Sequence, residues 1–193
     1  MPKSTSLSAA SIWKCPARQG EYVMRDRPIG AVSVLSTGHT GITVSDLDRS
    51  MSFYRDVLGY EVSVPVQVSG ALFEKVTGVP GCVIDVAFAR GAGHTLELLC
   101  YREPLARRPS TLRACDPGFW HLCLKVRDIE RVVDAIRAAG FESLSDIQTA
   151  PDAPVAGLRV VYARDPDGVV LELIEEPPGV NLEEVYFAAG KGS

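Results

Sequence analysis

Four residues of types that bind and use a divalent metal recur as two pairs, His39 with Glu97 and His121 with Glu172. They lie at matching places in a degenerate internal repeat. HTGITVSDLDRSMSFYRDVLGYE at 39–61 is echoed by HLCLKVRDIERVVDAIRAAGFE at 121–142, and HTLELLCYREP by GVVLELIEEPP. Each half thus supplies one imidazole near its start and one carboxylate near its end. Two imidazoles and two carboxylates on one cavity are best compensated by a cation. Mixed nitrogen and oxygen donors suit one divalent ion of Zn, Ni, Co, Mn or Fe. Four protein ligands leave two positions of an octahedral ion open for water or a bidentate oxygen substrate. The chemistry that fits is proton transfer beside a carbonyl or enediolate oxygen held on the metal. Glu172 is the first candidate base and Glu97 the other.

Strand alternation assigns the side chains around this site. His39, Gly41 and Thr43 share one face, and His121, Cys123 and Lys125 share another. Glu97 points away from Leu96 and Leu98, and Glu172 away from Leu171 and Leu173. Thr43, Cys123 and Lys125 are therefore candidate substrate contacts, with Phe73 and Trp120 as apolar pocket walls. For Cys123 a small buried thiol is the commoner reading. The segment VSGALFEKVTGVPG at 68–81 is expected to be a mobile loop covering the cavity, since glycines flank a short apolar patch.

The elements that must position these residues read as strand, helix, strand, strand, strand, twice over. Asp46 caps a helix whose apolar positions are Leu47, Met51, Phe53, Tyr54 and Leu58, and Gly59 stops it. Asp128 caps a second helix through Ile129, Val132, Val133 and Ile136, closed by Gly140. Strands are expected at 60–68, 81–89, 94–101, 119–126, 141–145, 158–163 and 169–175, with DPDG at 165–168 as a turn. Residues 1–29 read as a flexible N-terminal arm and 30–177 as the domain. Module one spans 30–102 and module two 118–177, joined by a linker rich in proline and arginine. Residues 178–193 form a tail, in which NLEEVYF is a short helix or an edge strand.

A chain of 193 residues buries a substantial core, and its net charge of -4 without a basic block argues against nucleic acid. No apolar run is long enough for a membrane span, and the N-terminus lacks a secretion-signal core. Cys15, Cys82, Cys100, Cys115 and Cys123 are odd in number and form no C-x-x-C pair, so reduced, mostly buried thiols in a cytoplasmic protein are expected.

Over about residues 35–176 the chain resembles the vicinal oxygen chelate superfamily, which includes glyoxalase I, methylmalonyl-CoA epimerase, fosfomycin-resistance enzymes and extradiol dioxygenases. HTGITVSDLDRSMSFYRDVLGYE, HTLELLCY, GFWHLCLKVRDIE and RVVYARDPDGVVLELIE carry the resemblance. It implies an α+β fold in which paired βαβββ modules form a curved-sheet, metal-binding cavity. It also implies His39, Glu97, His121 and Glu172 as ligands in that order, and a metal-dependent isomerase, epimerase or lyase acting on a small oxygenated or thioester substrate. A His/Glu/His/Glu set resembles glyoxalase I, whereas VTGVPGCVIDVAFARGAGHTLELLCY looks epimerase-like. Two other activities compete: a non-haem Fe(II) ring-cleaving dioxygenase and a bleomycin-resistance-type binding protein. Similar proteins are often homodimers, with modules paired within a chain or across chains.

Overall fold

The protein is described by a computed structural model covering residues 36–106, 108 and 112–189. The expected N-terminal arm lies outside the described residues. Two compact units divide the rest. The larger comprises Thr37–Gln148 and Val160–Glu175 and holds all four candidate ligands.

Module one begins with β1 (Thr40–Thr43) and α1 (Leu47–Ser52). Asp46 caps α1 by accepting the Arg49 N–H at 3.0 Å. The helix continues as a π-helical turn, Phe53–Val57. The wider turn lets two consecutive rings, Phe53 and Tyr54, both point inward, exposed by only 2% and 0%. After β2 (Glu61–Val62) and β3 (Val66–Ser69) comes α2 (Ala71–Thr77), then the long hairpin of β4 (Val83–Gly91) and β5 (His94–Glu103). Ala92 and Gly93 both take positive φ at its tip, which gives the turn the twist of the flanking strands. The sheet order is β1-β5-β4-β2, with β3 also on β4. β1 runs parallel to β5, with Gly41 opposite Glu97.

Module two repeats this plan with β6 (His121–Lys125), α3 (Ile129–Ala138), β7 (Gln148–Thr149), β8 (Arg159–Arg164) and β9 (Val170–Glu175), in the order β6-β9-β8-β7. β6 runs parallel to β9, with Cys123 opposite Glu172. On α3 the buried residues are Ile129, Val133 and Ile136, one helical face. Asp128 sits in the left-handed region at φ 56°, accepts the Arg131 N–H and donates its own N–H to Glu175.

The two modules share one hydrophobic core within the larger unit. Ile42, Leu47, Phe53, Leu96 and Leu98 of module one join Leu124, Val133, Ile136, Leu171 and Leu173 of module two. Phe53 meets Phe141 edge-on at 5.0 Å. Asp165, at the start of the DPDG turn, is 2% exposed. It accepts hydrogen bonds from the Tyr54 hydroxyl at 3.1 Å and from the Asp167 and Val169 N–H groups at 2.9 and 2.8 Å. Burying a bare carboxylate costs several kcal/mol, and three such bonds offset most of that.

In the smaller unit, the described residues are Ser36, Thr149–Arg159 and 176–189. The Ala150 N–H donates to Leu158, and Asn181 caps α4 (Leu182–Ala189) by accepting the Glu183 N–H at 3.1 Å. Of the two forms expected for NLEEVYF, the helix is the one found.

Two expectations are corrected. The segment at 68–81 contains the end of β3 and helix α2 rather than a loop, because Phe73 anchors it on a small apolar cluster with Cys82, Ile84, Val86, Leu99 and Tyr101. The strand expected at 141–145 reduces to one bridge, Ser143 with Ala163, since Phe141 turns inward against Phe53.

Candidate metal centre

The faces follow the alternation. On β1, Ile42 is buried while Gly41 and Thr43 are exposed, and on β6 His121, Cys123 and Lys125 are exposed while Leu124 is buried. Leu96, Leu98, Leu171 and Leu173 are fully buried, which turns Glu97 and Glu172 to the opposite faces. The parallel registers then bring each glutamate beside its module's histidine. His39 Nε2 lies 3.2 Å from Glu97 Oε2, and His121 Nε2 lies 3.1 Å from Glu172 Oε2. At Gly41 an added Cβ would stand 3.7 Å from Glu97 Oε2, so the missing side chain keeps the carboxylate open.

An aromatic ring flanks each histidine at an equivalent place on the penultimate strand of its module, β4 or β8. Phe88 meets His39 edge-on at 5.7 Å, and Tyr162 lies tilted 5.4 Å from His121. Phe88 stands opposite Glu97 in the β4–β5 register. Burial, and then the negative Glu172, push the Tyr162 phenol above its ordinary pKa, so it remains a hydrogen-bond donor. Neither ring was assigned to the histidines from sequence, although VAFAR and VVYAR stand at matching points of the repeat.

The four candidate ligands are not gathered within this chain. Among the described residues, no three His, Cys, Asp or Glu side chains are grouped to hold one ion. The structure brings together His39 with Glu97 and His121 with Glu172, as two half-sites. Each pair nevertheless fits a metal: two donors about 2.1 Å from one ion, at a right angle, lie about 3.0 Å apart. An imidazole N–H bonded to a carboxylate gives similar spacing. The recurrence of the pair at equivalent, partly exposed positions favours the ligand reading.

The other predicted residues divide. Thr43 and Trp120 line a 790 Å³ cavity beside module two. Cys123 and Lys125 stand on the His121 face, and Cys123 is exposed rather than buried. Cys115 is also exposed, while Cys82 and Cys100 are buried and Cys15 lies outside the described residues. Phe73 packs with Leu99, which shares the Glu97 face, so α2 covers one end of that face.

The duplicated topology and paired half-sites meet a direct comparison. The model of the glyoxalase/bleomycin resistance protein/dioxygenase superfamily matches residues 36–173. The chain belongs to that superfamily. This superfamily member is 34% identical over 160 residues to 2-epi-5-epi-valiolone epimerase of an Actinomyces species, covering 80% of this chain and 85% of the relative. It is 27% identical over 151 residues to the mitochondrial methylmalonyl-CoA epimerase of Dictyostelium discoideum, covering 77% and 82%. A glyoxalase family protein of Bacillus cereus shares the superfamily's α+β fold with a TM-score of 0.67 at 23% identity, covering 77% of this chain and 98% of that one. Among the described residues, no helix is long and apolar enough to cross a membrane.

Proposed function

We propose that this chain is an epimerase, isomerase or lyase that moves a proton on the carbon beside a carbonyl of a small oxygenated or thioester substrate. His39, Glu97, His121 and Glu172 would hold one divalent ion of Zn, Ni, Co, Mn or Fe. Such an ion supplies, when bound, a Lewis acid that polarises the carbonyl. The observation that carries the reading is the pair of His–Glu contacts at 3.2 and 3.1 Å, one per module. The names of the epimerase relatives point the same way.

Two half-sites held apart in one chain are completed by a second copy. In a two-fold dimer, His39 and Glu97 of one protomer would meet the His121–Glu172 half-site of its partner, and the symmetry would make two such centres. Glu172 takes the proton from the substrate carbon, and Glu97 is placed to return one from the opposite side. Thr43, Cys123 and Lys125, exposed on the same strand faces, orient the substrate oxygens. The Tyr162 hydroxyl offers a further donor.

Proton removal is tested by following solvent deuterium into the substrate carbon, with CoA thioesters, hemithioacetals and keto-cyclitols as candidates. Glu97→Gln and Glu172→Gln are each expected to slow exchange by at least a hundredfold. Full exchange in both variants would remove these carboxylates as bases.

A further inference from the structure

The 790 Å³ cavity beside module two does not contain the His–Glu pairs. It adjoins one of them. Trp120, on its wall, immediately precedes His121, and Val170, also on its wall, stands opposite His121 in the β6–β9 register. Glu172 lies two residues further along β9, roughly 7 Å away.

The charges of this cavity do not balance. Arg49, Arg108 and Arg164 line it against one carboxylate, Asp167. That carboxylate is already engaged: it accepts from Arg49 at 3.2 Å, the Ser45 N–H at 3.0 Å and the Ser50 hydroxyl at 3.3 Å. Arg164 donates to the neutral Gly168 carbonyl at 2.8 Å. Among the described residues neither Arg108 nor Arg164 has a carboxylate partner, so the cavity carries two uncompensated guanidinium charges. The wall also carries flat, apolar groups, Phe119 and a Trp120 that is 44% exposed. Low-dielectric walls concentrate the field of the arginines, and a planar guanidinium matches a phosphate or carboxylate through two parallel hydrogen bonds. An exposed indole stacks a flat or apolar group.

We infer that this cavity receives the anionic end of the substrate, a phosphate or carboxylate borne on a flat or apolar body that lies along Trp120. The assignment to a substrate rests on the proton-transfer reading above; the anion site itself does not. A molecule with its anion at the arginines and its reacting carbon at Glu172 lies along the edge of β9 that carries both Val170 and Glu172.

The test uses the full chain in a Trp13→Phe background, which leaves Trp120 as the sole indole of the two in the sequence. Phenyl phosphate, phenylacetate and benzyl alcohol are titrated in EDTA, with Trp120 fluorescence and calorimetry as readouts. At least one anion is expected to saturate the site at least tenfold more tightly than the neutral alcohol, and the tighter one names the anion class. Arg164→Gln and Arg108→Gln should each weaken anion binding at least tenfold, with circular dichroism unchanged. Should Arg164→Gln fail to fold, Arg108→Gln decides alone. Equal binding of the alcohol, or undiminished anion affinity in the folded variants, overturns the inference. EDTA removes the metal from the measurement. A failed titration therefore counts against the anion site alone, and lost deuterium exchange dependence with an intact titration counts against the proton-transfer reading alone.

Discussion

Phe88 and Tyr162 stand at matching places, each against a candidate ligand histidine, yet one offers a hydrocarbon edge and the other a protonated hydroxyl. The His–Glu pairs themselves are duplicated; their surroundings are not. His39→Ala and His121→Ala are each expected to lower divalent-metal affinity by more than tenfold in competition with a chelator. Tyr162→Phe, which keeps the ring and loses only the hydroxyl, should change it by less than about twofold. Comparable losses in all three would contradict the ligand assignment. At this scale the sequence was informative because strand period fixes side-chain direction: His39, Glu97, His121 and Glu172 lie on the faces that alternation gives them. It could not show that the donors stand as two pairs, since nothing in a strand's alternation encodes the distance between two sheets. Cys123 was misjudged as buried for a related reason: residue type predicts average burial, whereas its face on β6 dictates exposure.

The elements show which local signals speak and which stay silent. α3 was legible from Ile129, Val133 and Ile136, which repeat on one face behind an Asp128 cap. α2 was not. It follows Gly70 with no side-chain cap, has no fully buried residue, and relies on Phe73 to hold it to the sheet. Its seven residues are too few to reveal a helical period. The helix running from Asp46 to Gly59 was legible, but its π-helical turn was not, because the apolar spacing that announces a helix does not distinguish a local widening at adjacent Phe53 and Tyr54. At the β4 end the packing is tight enough to predict an effect. A Cβ on Gly91 would lie 2.8 Å from the Tyr60 ring, and Tyr60 is itself 5% exposed. Gly91→Ala should therefore cost about 1–3 kcal/mol in urea unfolding, with metal affinity little changed. A stability within 0.5 kcal/mol of the parent, roughly the scale of an ordinary surface substitution, would show that Tyr60 moves aside.

For the whole molecule, the buried Tyr54–Asp165 bond ties the helix of one module to the hairpin tip of the other. Burial raises the Asp165 pKa, so the folded chain holds that proton more tightly than the unfolded chain does. Its stabilising contribution is complete below the unfolded value of about 3.9 and is lost as pH rises through the higher folded value. The stability difference between parent and Asp165→Asn, read from melting curves at a series of pH values, should thus fall as pH rises above about 4. A constant difference would show that Asp165 does not titrate in this way. Cross-chain assembly has its own signature. A protein lacking His39 and Glu97, mixed and reassembled with one lacking His121 and Glu172, should regain about a quarter of the parental metal sites, since half the dimers are mixed and each carries one intact centre. No recovery would place the complete centre within one chain. The common core has a further consequence for how such a protein can be divided. Ile42 and Leu98 are sheltered in the same cluster as Leu124 and Leu171. Severed at the linker, either polypeptide would expose its oily side to water and clump. The smallest heritable piece able to keep itself in solution is the tandem.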